Sequence, residues 1–362
     1  MNIALLYPTR ERNTTGVRNL TKGSIIETLK KDQENQYFFS DDTYFDKNII
    51  PFSNVKWGGD EAECQRYDFL CHCKNIDILH SYWNTFDLMR ADCKKIITIY
   101  DIIPLVHPEW HTLHDYFDGP VRRTVEKADY VLAISEYTRA DMIKYFNIPP
   151  EKSRVIYPGL LHSLDFSRKD SEVLRKFNID GDYVMTVSTI EPRKNLRGLI
   201  NGFIAFKQRH PHNPLKLVLV GKTGWDRAFE TDISKLGEFR DSIILTGFVT
   251  DEELASLYNF ALAVAYVSYY EGFGLPILEA LSAGKAVISS DTTSMPEVGG
   301  EAVCYCNPYE EESICASLEE VVLNDGYRHR LESMSREQAM RFSYGKAAEE
   351  TVEVYNWLGG NR

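Results

Sequence analysis

Two glutamates, Glu271 and Glu279, stand eight residues apart in the segment EGFGLPILE and bracket a Gly-Pro loop that leads into a short apolar helix. Gly272 and Gly274 let the backbone come close to a ligand. Pro276 suits the first helical position, where a missing N–H costs nothing. The N–H groups of Gly274 and Leu275 would then point at an anion, with the positive end of the helix dipole behind them. An ionised carboxylate only accepts hydrogen bonds, so beside a phosphate it repels. It is well suited to hydroxyls next to that phosphate: Glu279, one turn in, to a ribose, and Glu271 to a second polyol. A diphosphate with ribose on one side and a sugar on the other is a nucleotide sugar. The competing reading is that both acids merely favour a helix start, as acidic side chains do.

A second segment bears on that choice. In STIEPRKNL (188–196) a strand ends, and Arg193 and Lys194 stand side by side where the next helix begins. A guanidinium offers phosphate oxygens a planar fork and an ammonium offers a point charge, so the pair could neutralise a diphosphate without a metal. Two cations at the positive end of a helix are unfavourable unless an anion is present. That weakens the reading of a merely solvated helix start.

These residues need a scaffold, and the chain alternates strand with helix throughout. Candidate strands in the first half are 3–7, 36–40, 76–82, 95–101, 130–136 and 154–159. Short apolar runs separated by helical stretches predict parallel sheets in an α/β layer fold. Periodicity lapses over 160–171, the expected linker. Alternation restarts with strands at 182–189, 215–222, 242–249, 261–268 and 286–291, and Thr250 and Glu253 have capping-box spacing. The expected division is an N-terminal doubly wound domain over 1–164, a second over 165–340, and a helical stretch over 341–362 packing back on the first. The strand ends of two such sheets would face a cleft.

The totals agree with two domains: 362 residues is long for one core. A formal charge of -12 argues against non-specific nucleic-acid binding. No apolar run reaches the roughly eighteen residues of a membrane span. MNIALLYP reads as a first core strand without a basic leader region, so a cytoplasmic location is expected. Seven cysteines, an odd number, point to reduced thiols. Cys64, Cys71, His72, Cys73 and Cys93 crowd one region. Adjacent Cys-His-Cys residues do not easily face one ion, and no paired CxxC is present, so no metal site is expected. Cys304, Cys306 and Cys315 read as strand and helix core positions.

Taken together, EPRKNL, VLVGK, LTGFV, EGFGLPILEALSAGKAVISSD and MPEVGGEAV resemble, in order and spacing over about 182–345, the C-terminal half of family 4 retaining glycosyltransferases of the GT-B fold. Glu271 and Glu279 form that family's E-x7-E motif. TIYDIIPLVHPE (98–109) and ISEYTRADM (134–142) are similar to its N-terminal half more loosely. The resemblance implies two Rossmann-like domains, acceptor-binding and then donor-binding. It implies that Arg193 and Lys194 bind the donor diphosphate and take up leaving-group charge, that Glu279 holds the ribose, and that Glu271 meets the donor sugar. Gly272, Phe273, Gly274 and Leu275 would line sugar and phosphates. Gly221 and Lys222 would border the nucleotide, with Gly247, Phe248 and Val249 near the base. Gly16 would fall in the loop after the first strand, near the phosphates.

The implied reaction is a metal-independent, retaining transfer of a hexosyl unit to a hydroxyl, with no cofactor beyond the nucleotide-sugar donor. The EPRKN and YDIIPL forms look most like surface-polysaccharide mannosyl- or rhamnosyltransferases, so GDP-mannose is the first donor expected, ahead of UDP- or dTDP-sugars. The acceptor would be a glycan or lipid-linked oligosaccharide, the latter calling for a peripheral contact at the inner membrane face. Two other readings are a non-catalytic sugar-nucleotide or glycan binder and a sugar-nucleotide epimerase.

Three positions depart from the family pattern. Tyr100 precedes Asp101 where a histidine is common, Thr15 replaces a first-loop glycine, and Thr189 stands where an arginine is frequent. Asp101 is the candidate for sugar or acceptor contact, against a turn role before Pro104. His80, at a strand end, and His107, in the aromatic loop VHPEWHTLHDYF with His111 and His114, are the acceptor candidates, since aromatic loops stack on sugar rings. Tyr269 and Tyr270 read equally as packing or ligand-facing.

Overall fold

The computed structural model describes residues 1–6, 15–39, 55–57, 75–82, 92–111, 113–160, 164–224, 226 and 229–360. Cys64, Cys71, His72 and Cys73 lie outside them. The chain forms two compact units, one of Met1–Leu161 with Phe342–Arg362, the other of His162–Arg341.

Among the described residues, the first unit is built on seven parallel strands in the order β3-β2-β1-β4-β5-β6-β7. These are β1 (Asn2–Leu6), β2 (Gln36–Phe39), β3 (Val55–Trp57), β4 (Ile78–Ser81), β5 (Lys94–Ile99), β6 (Tyr130–Ala133) and β7 (Ser153–Val155). Central strands such as ILHS are buried along their length, as expected of a parallel sheet covered on both faces. Helix Tyr344–Gly360 lends Ala347, Val354, Tyr355 and Leu358 to one face, where they meet Ile3, Leu5, Ile25 and Leu29. The C-terminal stretch thus completes the core of the N-terminal unit.

The second unit carries six parallel strands in the order β10-β9-β8-β11-β12-β13. They are β8 (Tyr183–Val187), β9 (Lys216–Val220), β10 (Ile243–Gly247), β11 (Ala263–Tyr266), β12 (Ala286–Ser290) and β13 (Val303–Cys306). Helices Leu196–Arg209 and Glu311–Leu323 bury Leu199, Phe203, Phe206, Ile314 and Leu318 against one face of it. Thr250 caps helix Asp251–Phe260 through the reciprocal bonds with Glu253 that the capping-box spacing predicts. Cys304 and Cys306 sit on β13 and Cys315 in a helix, all three buried.

Two strands escape the hydropathy reading, β3 and β13. They are three and four residues long.

Candidate functional site

In the second unit the strand order reverses between β8 and β11. Loops leaving strands at such a reversal diverge, and ligands of open α/β sheets sit in the crevice they leave. The loop after β8 carries Glu191, Arg193 and Lys194; the loop after β11 carries Tyr269, Tyr270 and Glu271.

Arg193 and Lys194 occupy a single 3-10 turn, Pro192–Lys194, one residue ahead of helix Leu196–Arg209. As expected, they stand where the helix begins, and Asn195, at its cap, turns the backbone with a left-handed φ of 52°. Asparagine tolerates that conformation better than most residues. Its Oδ1 accepts from the Gly198 amide, and its Nδ2 donates to the carbonyls of Val267 and Pro308. One buried side chain therefore caps the helix and ties both neighbouring loops to it.

The anion that two adjacent cations require is present, and the protein supplies it. Glu271 Oε1 lies 2.7 Å from Lys194 Nζ and 2.9 Å from an Arg193 guanidinium nitrogen. Glu191 Oε2 is 3.1 Å from Arg193 Nε. Lys194 also donates to the Tyr266 hydroxyl at 2.6 Å. These four charged side chains are nearly enclosed, with exposures of 17% for Arg193, 11% for Lys194 and 9% for each glutamate. Burial pushes the Glu271 carboxyl up, but Arg193 and Lys194 more than offset it and hold the group well below the usual carboxylate range. Burial and the Arg193 charge together push the Lys194 ammonium down. Glu191 moves the other way: burial raises it despite both cations. The cluster is formally neutral, two cations against two carboxylates.

Glu279 sits in a different environment. It lies in helix Leu275–Ser282, which Gly274 opens at a φ of 110° and Pro276 enters at the second position, one later than expected. Its Oε2 accepts from the Tyr258 hydroxyl at 2.7 Å. Among the described residues no cation offsets its burial, which pushes it up to about 7. The motif's two acids are therefore unlike: Glu271 is a fixed anion, Glu279 a carboxyl on the edge of ionisation.

Gly221 begins the loop after β9 at a φ of 142°, and a Cβ there would meet the Ser188 carbonyl at 1.9 Å. Only glycine permits that approach, which lets Ser188 and Ile190 hydrogen-bond to Val220 and Lys222 across the loops. Gly221 also donates to the Gly247 carbonyl. The two glycines line a cavity of about 460 Å³ with Ser188, Thr223 and Thr246. None of Arg193, Lys194, Glu271 or Glu279 lines it. Lys222 lies over the ring of Phe248, which is 67% exposed, and Val249 is buried. Thr189 is half-buried; Gly272 and Phe273 lie buried in the loop ahead of Gly274 and Leu275.

In the first unit two expectations are corrected. His80 is wholly buried and engages both ring nitrogens, with the Tyr355 hydroxyl at 2.6 Å and Thr98 Oγ1 at 2.8 Å. It holds the C-terminal helix to the sheet and presents nothing to an acceptor. Gly16 lies in the first turn of helix Thr15–Lys31 rather than in the loop before it. Asp101 Oδ1 accepts from the Ile103 amide, a turn-forming bond. The Tyr100 hydroxyl is 2.5 Å from Thr21 Oγ1. His107 stacks on Trp110 with ring centres 4.1 Å apart and pairs with Glu109. Among the described residues, no three His, Cys, Asp or Glu side chains gather as a metal site.

Asn195, Glu191 and the run Thr292–Thr293–Ser294 are the residues that sequence reasoning passed over. Ser294 Oγ reaches the carbonyls of Glu271 and Phe273, Thr293 Oγ1 accepts from the Glu271 amide, and Thr292 donates to the Tyr269 carbonyl. Three hydroxyl residues directly after a strand were the available signal, since such side chains bind loop backbone.

Comparison with known proteins agrees with this geometry. Residues 169–338 match the family described as glycosyl transferases group 1, and residues 47–180 match glycosyltransferase family 4. O-antigen chain mannosyltransferase B of Escherichia coli is 31% identical over 302 residues, 80% of this chain and 75% of that protein. Serotype-specific mannosyltransferase WbdA of Escherichia coli is 28% identical over 73% of this chain, which spans 34% of its length. Among solved structures, Anabaena Alr3699/HepE, in complex with UDP and glucose, has a TM-score of 0.75 at 17% identity, covering 98% of this chain and 99% of that one. That likeness shows the fold. By family match and by relationship, the chain belongs to the family 4 glycosyltransferases of the GT-B fold.

Proposed function

We propose that the protein is a retaining hexosyltransferase that moves mannose from GDP-mannose to a hydroxyl of a surface-polysaccharide acceptor. The observation that carries this reading is the buried Arg193–Lys194–Glu271 cluster at the β8/β11 reversal. The mannosyl assignment is supported by two relatives named as mannosyltransferases.

In this reading the donor diphosphate binds Arg193 and Lys194, sharing them with Glu271. The charge that develops on the departing diphosphate is met by cations already in place, in a site with little water. The bond from the anomeric carbon to the phosphate oxygen breaks, and the bond to the acceptor oxygen forms on the same face. The acceptor proton passes to the leaving phosphate oxygen. Glu271 would accept from donor-sugar hydroxyls, and Glu279 from the ribose. Gly221, Lys222, Gly247, Phe248 and Val249 would border the nucleotide. The second unit, 165–340 in outline, is the donor domain and the first, 1–164, the acceptor domain. A lipid-linked acceptor would bring the protein to the inner face of a membrane; no helix among the described residues is long and apolar enough to cross one.

The test is consumption of GDP-, UDP- and dTDP-sugars with and without a mannose-terminated glycan, with the product anomer read by NMR. Acceptor-dependent release of GDP with an α-linked product is expected. Tight donor binding without turnover would replace the enzyme by a binder, and isomerised donor without acceptor would make it an epimerase.

A further inference from the structure

Beside the ionic cluster the second unit holds two tyrosines that neither motif includes as a pair. Tyr269 and Tyr309 stack with ring centres 4.8 Å apart and planes inclined by 23°. Tyr309 is 65% exposed, which is unusual for a ring held so firmly. Its amide donates to Asn307 Oδ1, and the preceding carbonyl, that of Pro308, accepts from Asn195, the residue after Lys194. Tyr269 is pinned as well: its amide donates to the Arg193 carbonyl and its own carbonyl accepts from Thr292. Both ends of the stack are thus sewn to the loop that carries the diphosphate cations.

We propose that the Tyr269–Tyr309 stack is a platform for a pyranose ring of the acceptor glycan. A flat, exposed, preordered aromatic face binds the apolar face of a sugar at little conformational cost, because tyrosine has few rotatable bonds to freeze. Charge selects the occupant. Glu310, Glu311 and Glu312 follow Tyr309 directly, and all three are exposed; Glu311 accepts from Asn201 and Glu312 pairs with Arg209, which leaves Glu310 for a ligand. A carboxylate there accepts hydrogen bonds from neutral sugar hydroxyls and repels phosphate, so a nucleotide or a lipid diphosphate is disfavoured. Burial, with Tyr309 and Glu311 nearby, pushes the Tyr269 hydroxyl up, which keeps it a donor at neutral pH. This proposal rests on the transferase reading above and amends it in one respect: besides the acceptor contacts assigned to the first unit, one acceptor sugar meets the second.

Tyr309→Ala, Tyr309→Phe and Tyr309→Trp test it, with initial rates measured against GDP-mannose and against a mannose-terminated oligosaccharide. The alanine variant should raise the acceptor KM by about tenfold while the donor KM stays constant, and the Phe and Trp variants should restore it. An acceptor KM unmoved in the alanine variant, or a rise in donor KM instead, would overturn the platform. Thermal unfolding of each variant separates a folding defect from a binding one, and the aromatic replacements keep the stack intact in any case. Should the wild type transfer nothing from any donor, the transferase reading fails by itself. The platform is then tested by saturation-transfer NMR with α-linked mannotriose. Ring-proton transfer lost in Tyr309→Ala supports it, and transfer absent from the wild type or unchanged in the variant refutes it.

Discussion

Each unit buries one dense polar group at its sheet, and the two are of opposite kind. In the first, His80, Thr98 and Tyr355 form buried hydrogen bonds without a formal charge among them. Burial pushes His80 down to about 3, so its imidazole is neutral across the working pH range. In the second, four formal charges share one enclosed space. A neutral network satisfies its donors and acceptors at modest cost and adds specificity to packing. A buried ionic one is seldom better for stability than apolar residues of the same volume. Its persistence at a strand-order reversal points to binding, whereas the neutral network holds the terminal helix in place. Variants that treat the two groups alike should therefore behave differently.

The largest effect is expected from Lys194→Ala. It removes a point charge that touches Glu271 at 2.7 Å and would meet a departing diphosphate. Loss of one such contact at a developing charge typically lowers turnover by about a hundredfold or more, so kcat/KM for the donor should fall on that scale and GDP affinity should weaken. Unchanged steady-state kinetics would remove Lys194 from the site.

Glu271→Ala sharpens the same contrast through stability. It leaves Arg193 and Lys194 buried with Glu191 alone to balance them, and breaking a buried pair costs roughly 3 kcal/mol. A nucleoside diphosphate supplies the missing negative charge. The rise in thermal midpoint on adding GDP should accordingly be larger in the variant than in the wild type. A smaller rise would mean that the cations are not the diphosphate site.

His80→Phe probes the neutral network. It strands the Tyr355 and Thr98 hydroxyls, at a cost of about 2 kcal/mol, and should leave GDP affinity unaltered. The pH signature follows from the direction of the shift. Because His80 is depressed in the folded chain, from 6.5 to about 3, its contribution is fully present above 6.5 and is lost as the pH falls toward 3. Urea midpoints between pH 6.5 and 4 should fall less steeply in the variant; parallel slopes would show that His80 titrates freely.

Much of this contrast was legible in the chain. Parallel strands, the linker near Leu160, and the clustering of Arg193, Lys194 and Glu271 all follow from apolar runs and from charge at helix starts. What stayed hidden depends on long-range pairing. His80 looked available because a strand end is usually open; only its partner Tyr355, 275 residues away, shows why it is not. Glu191 was passed over, because its pairing with Arg193 depends on a 3-10 turn that local propensity does not specify. Asn195 carried a signal in its liking for left-handed backbone, yet its two carbonyl partners come from distant loops. Chemistry was readable where it was local, and misread where the fold had already committed a side chain elsewhere.

Glu279 offers the finest discrimination, because its shift runs opposite to that of His80. Burial raises it from 4.5 to about 7. Its contribution to stability is therefore present below pH 4.5 and is lost as the pH rises through 7, where a half-buried carboxylate forms beside the Tyr258 hydroxyl. A ribose donating two hydroxyls would favour that carboxylate. GDP affinity should then rise with pH up to about 7 and level off above it, changing by close to tenfold per unit on the acid side. Glu279→Gln cannot ionise, so it should bind GDP more weakly at pH 8 and show a shallower profile, what remains being set by the ligand's own terminal phosphate, which ionises at about pH 6. Calorimetric titrations at pH 6, 7 and 8 in both proteins decide the matter. A wild-type affinity that does not vary with pH would place the ribose away from Glu279, while leaving the neighbouring cluster, whose Glu271 stays ionised throughout this range, as the diphosphate site.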